Sequence, residues 1–200
     1  LENAKHADKG NILTFGVNPE YPETGYGYIQ SEKELNYEFC KPEKISRFIE
    51  KPNLELAEKL ILEKRFSWNS GIFFFKASIF LKELREKSPE IFSICKKSIS
   101  NKIIDLDFER INKDLFSNCP TLSIDKGIME KTDLGLVVPL NIGWSDAGNW
   151  QSLWKISTKD DQNNFISGNV VLDKVKNCYI RSEERLLVGI GIENLIVVET

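Results

Sequence analysis

The chain has 200 residues, of which 41% are hydrophobic and 28% charged, and this composition is typical of a folded globular protein rather than a disordered one. A formal net charge of -3 and a pI near 5.4 argue against nucleic acid as a partner, because Lys and Arg are scattered among acidic residues. The longest apolar runs, such as Ile72 to Phe75, are much shorter than the roughly 20 residues of a membrane helix. We therefore expect no membrane span.

Cysteine and histidine usage excludes several further classes. The four cysteines lie far apart without a C-x-x-C pair, which predicts neither a zinc site nor a dense disulfide framework. Free thiols in a reducing compartment, such as the cytoplasm, fit better. The single histidine, His6, sits in a polar N-terminal stretch with no second histidine to share a metal or to back up a serine, so zinc hydrolase and Ser-His-Asp chemistry are excluded.

Extended and helical patterns alternate along the chain as far as residue 157. The first ten residues are typical of the end of a helix that closes at Gly10, and we expect the start of that helix, with the N-terminal part of the protein, to be missing. The predicted elements then follow in order: a strand at Ile12 to Val17, a helix capped by Asn53 and ending near Arg65, a strand at Gly71 to Phe75, helical segments at Ala77 to Lys87, Glu90 to Lys97 and Ile124 to Lys131, a strand at Leu136 to Leu140, and a helix at Trp150 to Ile156. This order predicts an α/β fold with a central, mainly parallel sheet.

The pattern changes after the polar segment Lys159 to Asn164. Short apolar runs around residues 170–172, 178–181, 186–190 and 196–199 predict a small all-β segment. We therefore predict two regions, 1–157 and 158–200. The sequence shows no evident internal repeat in either region.

The segment Pro22 to Ile29, PETGYGYI, follows the first predicted strand. Glycine at Gly25 lets main-chain N–H groups approach a ligand, and Tyr26 can offer a ring face or a hydroxyl. Taken alone, the segment is explained better by a turn into a strand with tyrosines that only pack.

A second candidate is RFIEKP, Arg47 to Pro52, which should be extended because Pro52 disfavours a helical conformation at Lys51. Neighbouring strand residues point to opposite sides, so Glu50 could accept from sugar hydroxyls while Lys51 meets a phosphate. A surface ion pair at the end of a strand is the alternative.

The third candidate, WNSG, lies directly before the predicted strand IFFF. Asn69 can both donate to and accept from hydroxyls, and Gly71 leaves room for a ligand against the backbone. Trp68 could form a platform for a sugar ring, although packing in the core is the commoner role of tryptophan.

The fourth candidate, GWSDAGNW, joins a predicted strand to the helix at Trp150. Ligands in open α/β sheets bind beyond the carboxyl ends of strands, where Asp146 could coordinate Mg²⁺. A helix cap at Asp146 is equally compatible with the spacing.

The order of these motifs, with SIDKGIMEK between the third and the fourth, resembles that of bacterial mannose-1-phosphate guanylyltransferases, including the type fused to a mannose-6-phosphate isomerase domain. The resemblance covers most of the chain from Ile12 to Leu153. Lys126, Gly127, Ala147 and Asn149 depart from the residues expected in that family.

The resemblance implies a Rossmann-like fold of the glycosyltransferase-A type, with a mainly parallel mixed sheet, flanking helices and a short all-β segment. It also implies that GTP and mannose 1-phosphate react to give GDP-mannose and pyrophosphate with Mg²⁺ as cofactor. The roles that it implies are sugar binding by Gly25, Tyr26, Glu50, Asn69 and Gly71, catalysis by Lys51 and Asp146, and metal binding by Asp146. The family's glycine-rich triphosphate loop and its other metal-binding aspartate are expected upstream of Leu1.

Two other interpretations stay open. The chain could transfer a nucleotide to another sugar phosphate, or it could be a sugar-binding or oligomer-forming piece without turnover. The sequence does not fix the number of subunits, and a homo-oligomer stays open.

Overall fold

The computed structural model describes residues 2–200, which form two compact units. The first extends to Ile142 and the second runs from Gly143 to Thr200. The boundary predicted between residues 157 and 158 stays a prediction. In the structure, the helix at Trp150 lies within the second unit. Within residues 2–200, no helix combines the length and the hydropathy needed to cross a membrane.

The first unit combines strands with helices. In chain order its elements are α1 (Ala4–Asp8), β1 (Ile12–Val17), β2 (Gly27–Ser31), β3 (Glu43–Glu50), α2 (Leu54–Leu60), β4 (Phe66–Phe74), α3 (Ala77–Lys87), α4 (Pro89–Ser100), β5 (Ile103–Asp105), β6 (Phe108–Arg110), α5 (Lys113–Phe116), a π-helix (Asp125–Met129) and β7 (Gly135–Leu140). The predicted strand β1 and helix α3 have the bounds that the sequence indicated.

Five strands form a closed sheet in the order β1, β4, β2, β3, β7. Strands β1 and β7 pair in parallel, and the other four pairings of this sheet are antiparallel. The prediction of a mixed sheet with helices is confirmed, but the prediction that it is mainly parallel is wrong. Alternating patterns indicate which elements exist, whereas strand direction depends on long-range pairing that they do not encode.

The main core of the first unit lies between this sheet and the helices. Ile12, Ile29, Val137 and Ile128 are almost fully buried there. Partly buried side chains of α3, such as Phe80, pack against this cluster. The core therefore fixes β1, β2 and β7 relative to the π-helix. Strand β1 pairs with β4, which carries Asn69 and Gly71, and β2 pairs with β3, which ends at Glu50.

Strand β4 differs from its prediction in a way that matters for the site. It begins at Phe66 rather than at Gly71, so WNSG lies within the strand and not before it. Helix α2 ends at Leu60 and not near Arg65, because the carbonyl groups of Lys64 and Arg65 accept hydrogen bonds from residues 31–35 instead. Tertiary pairing has overridden the local helical pattern here.

The second unit contains α6 (Trp150–Ile156) and five short strands, β8 (Phe165–Ser167), β9 (Val170–Asp173), β10 (Tyr179–Arg181), β11 (Leu187–Ile190) and β12 (Ile196–Val198). Strands β8, β10 and β12 pair in parallel with one another, and β9 pairs in parallel with β11. The all-β segment is thus built from successive coils of a parallel solenoid.

Asparagine side chains link the coils of this solenoid. Asn163, Asn177 and Asn194 each have a positive φ, and Asn163 Nδ2 donates to Asn177 Oδ1 at 2.6 Å. Asn177 Nδ2 donates in turn to Asn194 Oδ1. The coils are not evident as a repeat in the sequence, because they differ in length and share little beyond these turn residues.

Candidate active site

Glu50 is the last residue of β3 and lies opposite Gly27 in the pairing of β2 with β3. Its side chain is only 16% exposed. A β-carbon added at Gly27 would lie 2.7 Å from Glu50 Oε2 and 3.2 Å from Phe48 Cε1. Gly27 therefore provides the space that the Glu50 carboxylate occupies.

Lys51 does not continue the strand. Its φ is +49°, so the extended conformation predicted from Pro52 is wrong at this residue. Its N–H donates to the carbonyl of Tyr26 at 3.2 Å, which ends β3 beside the PETGYGYI segment. Lys51 Nζ lies 3.9 Å from Glu50 Oε1, so the two charged groups are neighbours rather than directed to opposite sides.

Asn69 lies at a bulge of β4. Thr14 pairs with Phe73 and Gly16 pairs with Asn69, so β4 contains two more residues than β1 between these pairs. Gly71 lies in this bulge with a φ of +72°, a conformation that glycine adopts without strain. Bulges of this kind often redirect a side chain beside an active site.

The Asn69 amide has several hydrogen-bond partners. Its Oδ1 accepts from Thr14 Oγ1 at 2.9 Å and from the Gly71 N–H at 3.2 Å. Its Nδ2 donates to Asp125 Oδ1 at 3.1 Å. Asn69 was predicted both to donate to and to accept from ligand hydroxyls. Because its Oδ1 already accepts two hydrogen bonds within the protein, only its Nδ2 donor is left for a ligand.

Asp125 is a site residue that the sequence analysis missed. It begins the π-helix within the SIDKGIMEK motif, at a place where an ordinary helix was predicted. Helices of this type are rare and are frequent at functional sites. An acidic residue at the start of a helix in a family motif was the available signal, but the pairing of Asp125 with Asn69 depends on residues far apart in sequence.

The electrostatics connect Glu50 to the same group of residues. Burial raises the pKa of Glu50, and the charge of Asp125 raises it further, with a smaller contribution from Glu130. The neighbouring ammonium groups of Lys51 and Lys126 act in the opposite direction. Carboxylates and ammonium groups from two segments, the end of β3 and the π-helix with its C-cap, thus influence one another at this place.

The tyrosines of this region surround Trp68. The ring centroid of Tyr26 lies 5.3 Å from that of Trp68, and the centroid of Tyr21 lies 4.9 Å from it, both in edge-on arrangements. Trp68 is 4% exposed, which confirms the packing role, and its Nε1 has no partner among residues 2–200. The Gly25 N–H donates to Glu23 Oε1 at 2.9 Å, which holds the loop before β2.

Asp146 lies in the second unit, on the exposed loop before α6. It does not cap the helix, so that alternative is wrong. Asn149 is the N-cap, and its Oδ1 accepts from the Ser152 N–H at 2.8 Å. Since α6 begins at Trp150, Asp146 lies three residues too early to bond the first turn.

No group of three or more His, Cys, Asp and Glu residues suited to a metal ion occurs in the described part of the chain. Magnesium is commonly held by one or two carboxylates together with waters and substrate phosphates. The single carboxylate of Asp146 fits that mode of binding, and it does not fit a cage made of protein ligands alone.

In the first unit, the structure brings Glu50, Lys51 and Asn69 together with the previously unpredicted Asp125. Carboxylates and an amide N–H are suited to hydroxyl groups, whereas ammonium groups are suited to phosphate. The arrangement is therefore chemically suited to a ligand that carries both.

Comparison with known proteins gives consistent results. A family model described as nucleotidyl transferase matches residues 1–163. Mannose-1-phosphate guanylyltransferase 2 of Escherichia coli O157:H7 is 46% identical over 199 residues, which cover 97% of this chain and 41% of that relative. The mannose-1-phosphate guanylyltransferase of Klebsiella pneumoniae is 42% identical, with 98% of this chain and 42% of the relative covered.

A solved structure has a similar fold. The structure titled mannose-1-phosphate geranyltransferase from Thermus thermophilus superposes with a TM-score of 0.80 at 25% identity, covering 100% of this chain and 56% of that one. The chain spans about two fifths of the length of the curated relatives it matches.

Proposed function

The chain belongs to the nucleotidyl transferase family, and we propose that it forms the sugar-phosphate side of a mannose-1-phosphate guanylyltransferase, which makes GDP-mannose and pyrophosphate from GTP and mannose 1-phosphate. The relatives bear this name, and the motif order in the sequence indicated the same family. The observation that carries the proposal is the cluster of Glu50, Asn69 and Asp125 beside Lys51, since it combines groups for hydroxyls with a cation for phosphate.

In the proposed reaction, an oxygen of the sugar phosphate attacks the α-phosphorus of GTP. A new P–O bond forms, the bond between the α-phosphorus and its bridging oxygen breaks, and pyrophosphate leaves with the electron pair. The attacking group is already an anion, so no histidine base is required. Positioning and charge neutralisation provide most of the acceleration in such reactions.

The residues of the first unit have separate parts in this scheme. Glu50 and Asn69 bind sugar hydroxyls, and Lys51, whose side chain is 65% exposed, meets the sugar phosphate. The ion pair of Lys51 with Glu50 competes only weakly with phosphate binding by Lys51. Its long distance of 3.9 Å and the exposure of Lys51 limit the strength of the ion pair. Gly25, Tyr26 and Gly71 shape the backbone around the sugar.

Asp146 is the residue that would contribute a carboxylate to Mg²⁺. Bound Mg²⁺ would neutralise phosphate charge during the transfer. Asp146 itself keeps its carboxylate exposed on the loop before α6.

The test is pyrophosphate release by the full gene product from GTP and mannose 1-phosphate, with GDP-mannose identified by mass spectrometry. We expect turnover with this pair, and slower turnover with ATP, UTP or glucose 1-phosphate. We also expect the 200 residues alone to give none, since the groups that hold the triphosphate are proposed to lie elsewhere in the enzyme. Full activity of these residues alone would contradict that account.

The same assay separates the other two interpretations. A preference for another sugar phosphate or nucleotide would retain the family and change the substrate. Binding of mannose 1-phosphate by the full gene product without any turnover would favour a sugar-binding protein.

We place this reaction in the cytoplasm. None of the four cysteines, all within residues 2–200, is part of a disulfide. Free thiols are usual in reducing compartments. Fractionation of the native cells with an antibody to the protein would test this location.

A further inference from the structure

The orientation of the Asn69 amide is determined by its neighbours. A backbone N–H can only donate, so the amide atom that lies 3.2 Å from the Gly71 nitrogen must be Oδ1. Thr14 Oγ1 lies 2.9 Å from the same oxygen and therefore donates to it. Because a carbonyl oxygen has two lone pairs, Oδ1 has no further capacity for a ligand.

The other end of the amide is only partly engaged. Asn69 Nδ2 donates one hydrogen to Asp125 Oδ1 at 3.1 Å. Among the described residues, the second N–H of Asn69 and the second carboxylate oxygen of Asp125 have no protein partner. An N–H donor and a carboxylate acceptor thus stand side by side on two neighbouring elements.

We propose that Thr14 fixes Asn69 as a donor only, and that Asp125 is the acceptor which joins Asn69 in binding one hydroxyl group of the sugar phosphate. The hydroxyl oxygen accepts from Asn69 Nδ2, and its proton is donated to Asp125. This assignment rests on the proposed function, which supplies the sugar phosphate as the ligand.

Thr14 acts through Asn69 and not on the ligand. Its relative exposure is 0%, so it is a positioning residue. Its hydroxyl also lies 3.1 Å from the carbonyl of Ile72, and its one proton is shared between the two acceptors. Thr14 therefore links the Asn69 amide, through its hydroxyl, to the backbone carbonyl of Ile72 in the β4 bulge.

The charges around this pair agree with a hydroxyl ligand rather than a phosphate ligand. Asp125 lies close enough to Glu50 to raise the pKa of that carboxyl, and a second anion would be repelled by both groups. A hydroxyl donates to carboxylates without adding charge. The sugar ring thus faces Glu50 and Asp125, and its phosphate is left to Lys51 and Lys126.

Deoxyfluoro analogues of mannose 1-phosphate provide the direct test, because fluorine accepts weakly and cannot donate. Each ring position would be replaced in turn, and KM measured with the full gene product and its Asp125→Asn variant. In the parent, we expect fluorine to raise KM by about tenfold or more at the position bound by Asn69 and Asp125, and also at the position bound by Glu50. In Asp125→Asn, one of these penalties should fall to about threefold or less, because the amide oxygen keeps its bond with Asn69 Nδ2 and an NH2 donor replaces the second carboxylate oxygen.

A second test keeps the proposal falsifiable if Asp125→Asn does not fold. Thr14→Val removes the hydroxyl with little change in shape, and Thr14→Ser retains it. We expect Thr14→Val to raise KM for mannose 1-phosphate by about fivefold, with kcat and KM for GTP unchanged, and Thr14→Ser to resemble the parent.

Thr132→Val is the matched control. Thr132 Oγ1 donates to Glu83 Oε2 at 2.6 Å, so this variant also deletes a threonine hydroxyl that bonds a side chain of the first unit. We expect no change in KM for the sugar phosphate. An equal rise in KM for Thr132→Val and Thr14→Val would overturn the positioning role.

The outcomes distinguish this proposal from the proposed function. If the parent makes GDP-mannose and every fluorine penalty is the same in Asp125→Asn, the hydroxyl assignment is wrong and the function stands. If the parent makes no GDP-mannose with unmodified mannose 1-phosphate, the proposed function fails first.

Discussion

The cluster of Glu50, Asn69 and Asp125 in the first unit, which is proposed to bind the sugar, and the loop at residues 143–149 of the second unit differ in how exposed their candidate residues are. Asn69 is bonded on both sides of its amide, and its neighbour Thr14 is fully buried. The loop is exposed over most of its length, and Gly143 and Ala147 both have positive φ values. Asn69 and Thr14 are partly or fully buried, whereas Asp146 lies on an exposed loop.

This difference predicts separate contributions of the two regions to the proposed reaction. Groups that recognise a sugar gain from being fixed before binding, because less ordering entropy is lost. A carboxylate that shares Mg²⁺ with substrate phosphates needs only to be exposed and charged. Changes in the cluster should therefore act mainly on KM, and changes at Asp146 mainly on kcat.

The largest expected effect is that of Asp146→Asn in the full gene product. An amide oxygen has no formal charge, so we expect kcat to fall by about 100-fold, or about 2.7 kcal/mol, with little change in melting temperature. Raising the Mg²⁺ concentration should recover part of the loss. Parent-like activity of the variant across a magnesium titration would remove Asp146 from the metal site.

The next effect is on the sugar side. Glu50→Gln and Asn69→Ala should each raise KM for mannose 1-phosphate by about tenfold, as expected when a buried polar contact worth about 1.5 to 3 kcal/mol is lost. Steady-state kinetics with saturating GTP would measure this. If neither KM nor kcat changes, the ion pair and the packing of this region have only structural roles.

Glu50 also makes the stability of the protein depend on pH. Its pKa is raised by burial and then by Asp125, so the folded protein holds the proton more tightly than the unfolded chain. Ionised Glu50 therefore opposes folding above the raised pKa, and this cost disappears as the pH falls below the ordinary value. We expect Glu50→Gln to keep or increase the free energy of unfolding at neutral pH, measured by urea denaturation, even though it weakens sugar binding.

Two glycines allow the same perturbation in both regions. A β-carbon at Gly27 would lie 2.7 Å from Glu50 Oε2, and one at Gly148 would lie 2.6 Å from Asp146 Oδ2. We expect Gly27→Ala to raise KM for the sugar phosphate by about fivefold, or about 1 kcal/mol, because the fixed carboxylate must move. Gly148→Ala should change KM less, since an exposed side chain can rotate away, and equal effects in the two regions would contradict the comparison.

The elements with strong local signals could be predicted from sequence. Strand β1, helix α3 and helix α6 have the predicted bounds, because apolar spacing and caps act within a few residues. The direction of the strands was not predictable in this way. Nor was the solenoid, whose coils are joined by Asn163, Asn177 and Asn194 across gaps that vary in length.

The candidate site shows the same limit. Motif order identified Glu50, Lys51 and Asn69, but it gave no reason to connect Asn69 with Thr14 or Asp125, which are distant in sequence. It also could not show that the acceptor atom of Asn69 is engaged by Thr14 and Gly71. Such hydrogen bonds depend on the bulge in β4, which has no clear signal in the sequence.

The smallest expected effect is that of Asn149→Ala. It separates the two roles that the sequence left open for Asp146, metal ligand and helix cap. Asn149 Oδ1 accepts from the Ser152 N–H at 2.8 Å, so Asn149→Ala should destabilise α6 by about 1 kcal/mol. Measured on the 200 residues alone, that corresponds to a fall of about 2 to 4 °C in melting temperature, whereas the Mg²⁺ dependence is measured on the full gene product. The Mg²⁺ concentration that gives half-maximal activity should stay the same, because the Asn149 cap is not a metal ligand in this proposal.

Asp146→Asn should show the reverse pattern, an altered Mg²⁺ dependence with an unchanged melting temperature. If Asn149→Ala shifted the Mg²⁺ dependence as strongly as Asp146→Asn, the helix cap and Asp146 would not have separable roles. The contrast between the exposed loop and the buried cluster would then no longer hold.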